Sequence, residues 1–218
     1  MRIYRTGRTD YDRAHRWQKA MVERRFAGEI GDVLLLLEHS PTYTCGRATQ
    51  PEHLPNKAAL EAYGARLIEI ERGGSITYHG PGQLVGYPIV DLRARGRDVH
   101  RYLRDLEEVL MATLATFSLH GVRRAGLTGV WVGDEKVAAI GIYVSRWISS
   151  HGFSLNISPD LEPFRAMRPC GLDGSQVNSL ESLLGRRVER AEVEEALLVC
   201  MQKVFGPCID DGQPFDME

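Results

Sequence analysis

A chain of 218 residues makes one large domain or two small ones and buries about 70 % of its unfolded surface, enough for a core without disulfide or metal staples. With 43% hydrophobic and 26% charged residues, its usage is that of an ordinary globular protein, which excludes a disordered, collagen-like or coiled-coil chain. Lys and Arg number 27 against 29 Asp and Glu, a formal charge of -2, so no broad cationic field addresses nucleic acid or an anionic membrane.

Met1-Arg2-Ile3-Tyr4-Arg5 lacks the apolar stretch of a secretory signal,. The longest apolar run, Val33 to Leu37, falls far short of the roughly 20 residues of a membrane span,, and a cytoplasmic location is expected. Asp10 to Ala27 carries Tyr11, Ala14, Trp17, Met21 and Val22 at helical spacing, with Asp10 as N-cap and Gly28 past the end,. Val33 to Leu37 is uniformly apolar and predicts a strand buried on both faces. A short helix over Lys57–Tyr63 and a strand over Arg66–Glu71 follow. Val99, Leu103, Leu106, Leu110, Leu114 and Phe117 form a helical stripe ending before Gly121,. Gly129 to Val132 and Val137 to Val144 read as strands joined at Gly133-Asp134, Gly152 to Ile157 as another strand, and Glu189 to Phe205 as a closing helix. No repeat or linker interrupts the chain, and a single α+β domain over residues 1–218 is expected.

Arg72-Gly73-Gly74-Ser75-Ile76-Thr77-Tyr78-His79-Gly80-Pro81-Gly82-Gln83 packs four glycines into twelve residues after a predicted strand. It matches neither a Walker loop nor a dinucleotide loop, and two readings stay open. One is a bulged hairpin with Arg72 and His79 at its edges; the other is a ligand loop in which both side chains bind substrate without supporting the fold.

The four cysteines, Cys45, Cys170, Cys200 and Cys208, show no CxxC or zinc spacing and are expected as thiols,. Cys170, in the turn-like Arg168-Pro169-Cys170-Gly171-Leu172, and Cys45, before Gly46, are the loop candidates for chemistry, whereas Cys200 falls on an apolar helix face. His79 and His151 stand in separate strand-like segments without an HxxxH or a carboxylate partner in sequence, so no metal site is expected. Only four lysines, Lys19, Lys57, Lys136 and Lys203, stand against 23 arginines. A lysine, unlike an arginine, loses its proton when desolvated, which singles out Lys136 at the opening of a strand.

Five segments together resemble the lipoyl(octanoyl) transferase family: Glu38-His39-Ser40-Pro41-Thr42-Tyr43-Thr44-Cys45-Gly46-Arg47; the glycine-rich segment continued through Leu84-Val85-Gly86-Tyr87-Pro88; Gly126-Leu127-Thr128-Gly129-Val130-Trp131-Val132-Gly133-Asp134-Glu135-Lys136; His151-Gly152-Phe153-Ser154-Leu155-Asn156; and Arg168-Pro169-Cys170-Gly171. The resemblance runs from about Val33 to Leu184, and the 34-residue separation of Lys136 and Cys170 fits the family's catalytic pair. It implies a biotin/lipoate ligase-like α+β fold with mixed or antiparallel sheets flanked by helices. It also implies transfer of octanoyl from octanoyl-acyl carrier protein to lysine amines on the lipoyl domains of 2-oxoacid dehydrogenases and on the glycine cleavage H protein, the step that begins lipoate assembly. By the same resemblance Cys170 is the acyl-thioester nucleophile and Lys136 the partner that lowers its pKa. The acyl site is then lined by Arg72 to His79, by Ala139-Ile140-Gly141 and by Gly152-Phe153-Ser154. Ser154 departs from the alanine common in the family. The oxyanion donors are expected among backbone N–H groups near Lys136 or Gly171.

Neither a cofactor nor a metal is implied. An ATP-dependent lipoate or biotin ligase of the same fold would need an adenylate loop and no Cys170. A non-catalytic module that binds the acyl carrier or lipoyl domain would not need both Lys136 and Cys170.

Overall fold

The computed structural model describes residues 1–168 and 176–210. Along the chain run β1 (Arg2–Thr9), α1 (Tyr11–Phe26), β2 (Val33–His39), β3 (Thr42–Cys45), α2 (Lys57–Ala62), β4 (Arg66–Glu69), β5 (Ile76–His79), β6 (Gln83–Ile89), α3 (Val99–Thr116), β7 (Gly121–Arg124), β8 (Leu127–Val132), β9 (Glu135–Ser145), β10 (Ile148–Asn156), α4 (Glu162–Arg165), α5 (Leu180–Leu184), α6 (Arg190–Phe205) and β11 (Ile209–Asp210). Among the described residues one sheet has eight strands in the order β11-β1-β2-β6-β10-β9-β8-β7 and a second has three, β4-β3-β5. In the large sheet β1 is parallel to β2 and β11, and all other pairs are antiparallel.

Strand β2 shows why a continuous apolar run suits the centre of such a sheet. Leu34 and Leu36 join the core under α3 and α6, while Val33, Leu35 and Leu37 join the core under α1, following the two-residue alternation of a strand,. Helix α1 is capped as expected: the Asp10 carboxylate accepts the Asp12 N–H,. Helix α3 buries Leu106, Leu110 and Leu114 along its stripe. A third, smaller core under the three-stranded sheet gathers Tyr43, Cys45, Ile76, Tyr78, Phe164 and Met167.

The glycine-rich segment is not a hairpin. Its strand β5 pairs with β3 in the small sheet, and β6, four residues on, pairs with β2 and β10 in the large one. The chain crosses from sheet to sheet at Gly80-Pro81-Gly82, where Gly82 has φ +84 and a Cβ would lie 2.5 Å from the Ser158 carbonyl oxygen. Cys45 ends strand β3, buried, rather than sitting in a loop. No helix among the described residues is long and apolar enough to cross a membrane.

Candidate active site

Between the two sheets lies a cavity of about 240 Å³, small beside the roughly 300–1,000 Å³ of most small-molecule sites and so suited to a short ligand. Arg72, Gly74, Ser75, Ile76, Thr77, His79, Lys136, Ala139, Ile140, Gly141, Gly152, Phe153 and Ser154 all line it. Tyr78 and Gly73 do not. Tyr78 points the other way along β5, its ring 5.1 Å from that of Tyr43 and edge-on to Phe164 at 5.4 Å, as alternation on a strand requires. Gly73 gives its N–H to the Ile142 carbonyl at 2.9 Å and ties the loop to β9. Cys170 and Gly171 lie outside the described residues.

Arg72 is 7% exposed and spends its guanidinium on the fold. Nη1 donates to the Ser75 and Gly73 carbonyls at 2.7 and 3.0 Å, and Nη2 donates to the Thr44 carbonyl and hydroxyl at 2.7 and 2.9 Å. A Cβ on Gly141 would meet Arg72 Cδ at 2.9 Å, and one on Gly46 would meet the Gly74 carbonyl at 2.4 Å. These glycines let β9 and the segment after β3 close on the loop, with Arg72 clamped between them. Of the two readings left open, these bonds count against a side chain that does not support the fold, while Arg72 still lines the cavity.

Lys136 is aimed by its surroundings. A register shift between Val130 and Trp131 pairs Trp131 with Lys136 and Val130 with Ala138, leaving Val137 as the bulged residue, a device that re-aims side chains. The ammonium lies 5.5 Å from the centroid of the Trp131 ring, within cation–π range. Gly129 makes the passage: at φ +132, a Cβ there would fall 2.6 Å from Lys136 Cε. The Gly129 N–H is held from behind by Glu107, a buried α3 carboxylate that also binds Arg104 at 2.6 Å and Arg123 at 2.9 Å. Neither Gly129 nor Glu107 was singled out by sequence reasoning; a glutamate within an apolar stripe is the signal that was there to be read.

A polar chain crosses the cavity floor. His79 Nδ1 donates to Gln83 Oε1 at 2.7 Å, because the Gln83 amide nitrogen is committed to Asn156 Oδ1 at 2.8 Å. Asn156 Nδ2 then donates to the Asn178 carbonyl, and the Asn178 N–H to the Lys136 carbonyl, each at 3.0 Å. Burial pushes His79 down to about 3, with His39 nearby adding to the effect, so the ring is neutral at physiological pH and its Nε2 carries a lone pair. His39 is pushed down to about 4, again by burial. It donates Nδ1–H to the Thr9 carbonyl and accepts the Tyr87 hydroxyl, at 2.8 and 2.7 Å. Burial raises the Cys45 thiol, which disfavours its thiolate form,.

The site is thus a cleft between a large mixed sheet and a small one, with a lysine aimed into it across a glycine. The lipoyl protein ligase A/B catalytic domain model matches residues 10–202. Octanoyltransferases of Rubrobacter xylanophilus and Gloeobacter violaceus are 48% and 45% identical, over 92% and 94% of this chain and 91% and 90% of theirs. Among solved structures, a bi-partite lipoate protein ligase from Thermoplasma acidophilum superposes with TM-score 0.75 at 14% identity, covering 99% of this chain and 87% of that one. The biotin protein ligase of Aquifex aeolicus gives 0.54 at 10%, covering 93% and 68%. The chain belongs to the lipoyl protein ligase A/B catalytic-domain family, and within it to the octanoyltransferases. It is an acyltransferase of protein lipoylation.

Proposed function

We propose that the chain takes octanoyl from the thioester of an acyl carrier protein onto Cys170 and passes it to a lysine amine on a lipoyl domain, with Lys136 moving the protons, in the cytoplasm. The observation that carries this reading is the placement of Lys136: its side chain runs over Gly129 into a cavity whose wall includes Met167 and Gln176, the described residues closest to Cys170 on either side that line it. Val177, one residue past Gln176, bridges directly to Lys136.

The chemistry needs nothing further. A free thiol is a few per cent thiolate at neutral pH, and a neighbouring ammonium raises that fraction. Cys170 Sγ attacks the octanoyl carbonyl carbon, the bond to the carrier sulfur breaks, and Lys136 gives its proton to the departing thiolate. The acceptor amine then attacks the Cys170 thioester, the carbon–sulfur bond breaks, and Lys136 takes up the proton that the new amide nitrogen sheds. Ile140 and Phe153 hold the alkyl chain, while Ser154 sets a hydroxyl beside it. A thioester is exchanged for a thioester and then for an amide, so the sequence runs downhill without ATP.

Intact mass after mixing with octanoyl-acyl carrier protein, without ATP or Mg²⁺, tests the reading. One octanoyl adduct is expected, mapping to Cys170 and absent from Cys170→Ala. An adduct on Cys45, or strict dependence on ATP, contradicts it; the latter moves the chain to a ligase reaction on the same fold.

A further inference from the structure

His15 on α1, Glu71 in the segment after β4, and His151 on β10 are far apart in sequence, yet one donor atom of each lies within 4.8 Å of the others. His15 Nε2 is 3.1 Å from Glu71 Oε1, and His151 Nε2 is 3.9 Å from Glu71 Oε2. The two imidazole centroids are 5.5 Å apart. His151 is buried at φ 55, the left-handed region, inside a strand, a backbone state that costs any residue but glycine and concentrates where function needs it. Its N–H is anchored at 2.8 Å on Gln18 Oε1, one turn along the helix that carries His15. One helix therefore supplies one imidazole and fixes the strand carrying the other, with the carboxylate between them.

We infer that His15, Glu71 and His151 form a binding site for a single divalent transition-metal ion of the zinc class at the edge of the acyl cavity. Two imidazole nitrogens and one carboxylate oxygen are the donor set of a three-ligand zinc site with an open fourth position. Bond lengths of about 2.0–2.2 Å put tetrahedral donors roughly 3.3 Å apart; the carboxylate-to-imidazole spacings of 3.1 and 3.9 Å bracket that value. A single carboxylate among two nitrogens does not suit Mg²⁺ or Ca²⁺, which seek six or more oxygens. Arg72 and Lys19 are positive neighbours of His151, a repulsion that the metal–imidazole and metal–carboxylate bonds must offset. Because His151 lines the cavity, the ion joins α1, the start of the glycine-rich loop and β10 at the wall of the acyl site.

The test uses the full chain, stripped with a chelator and titrated with Zn²⁺ by calorimetry and thermal melting, with Co²⁺ as the spectroscopic probe. One equivalent is expected to bind and raise the melting midpoint by about 5–10 °C at 100 times Kd. Cobalt is expected to show d–d bands without a thiolate charge-transfer band. His15→Ala and Glu71→Gln, each titrated at a temperature where its own melting curve shows it folded, are expected to bind at least about 100-fold more weakly, since even outer-shell changes cost 10–100-fold. No binding by the natural chain, unchanged affinity in either variant, or loss of binding in Cys170→Ser would overturn the inference.

Discussion

Around α3 and α6 the large sheet is covered by Leu106, Leu110, Leu114, Leu197 and Met201, all with no exposed surface. Around β5, β9 and β10 the contacts instead run backbone to backbone past glycines, braced by one buried guanidinium and by neutral histidines. The first region draws on the area of apolar surface removed from water, which tolerates changes of shape as long as volume is kept. In the second, backbone and side chain close on Gly46, Gly141 and Gly152, where an added Cβ would lie 2.4, 2.9 and 2.2 Å from its nearest neighbour, so a small change there shifts the site.

Leu110→Ala marks the apolar extreme: a loss of about 2–5 kcal/mol in a urea titration, with an unchanged transfer rate per folded molecule. Arg72→Ala is expected to cost about 2–3 kcal/mol, because the carbonyls of Thr44 and Ser75 lose a charged donor in a buried place,, and its transfer rate should fall alongside. Stability unchanged with activity lost would return Arg72 to a purely ligand-facing role. Gly129→Ala is expected to slow transfer by about 10- to 100-fold, since a displacement of about 1 Å can cost that much, and to lower the melting midpoint as well, because its Cβ would also lie 2.5 Å from the Ala138 carbonyl oxygen at φ +132.

Acid separates the regions more gently. His39 and His79 are held near 4 and 3 in the folded chain but titrate near 6.5 when unfolded. The unfolded state therefore binds more protons below about pH 6.5, and stability falls as pH drops from there toward about 4. The expected slope is about 1.4 kcal/mol per pH unit for each ring. Denaturant midpoints across this range should flatten in His39→Gln by about one proton's worth. An unchanged slope would mean that the ring already carries a proton in the fold.

What could be read from the chain was what repeats locally. Asp10 ahead of an amphipathic stretch marks α1, five consecutive apolar residues mark the buried β2, and the stripe from Val99 to Phe117 marks α3. Strand β1 was not read, because Arg2, Arg5 and Arg8 interrupt its alternation and only Ile3, Tyr4 and Thr9 are buried. The hairpin alternative failed because local turn chemistry at Gly80-Pro81-Gly82 does not say which sheet each flanking strand joins. The family motifs located Lys136, the segment holding Gly129 and most of the cavity wall, but not the Glu107 carboxylate behind Gly129. The approach of His15 and Glu71 to His151 is likewise set by packing between distant elements, for which a sequence spacing carries no signal.

In the proposed reaction Lys136 moves the protons for Cys170, and Lys136→Arg tests that role, since arginine keeps the charge but stays protonated. Iodoacetamide rates against pH report the thiolate, and single-turnover rates report transfer to the lipoyl-domain amine, whose ordinary pKa of about 10.4 leaves a proton to be removed. The account predicts a thiol that still alkylates readily near neutral pH together with transfer slowed by about 10² to 10⁴. Transfer at the natural rate in Lys136→Arg would contradict it and leave Lys136 only an electrostatic role.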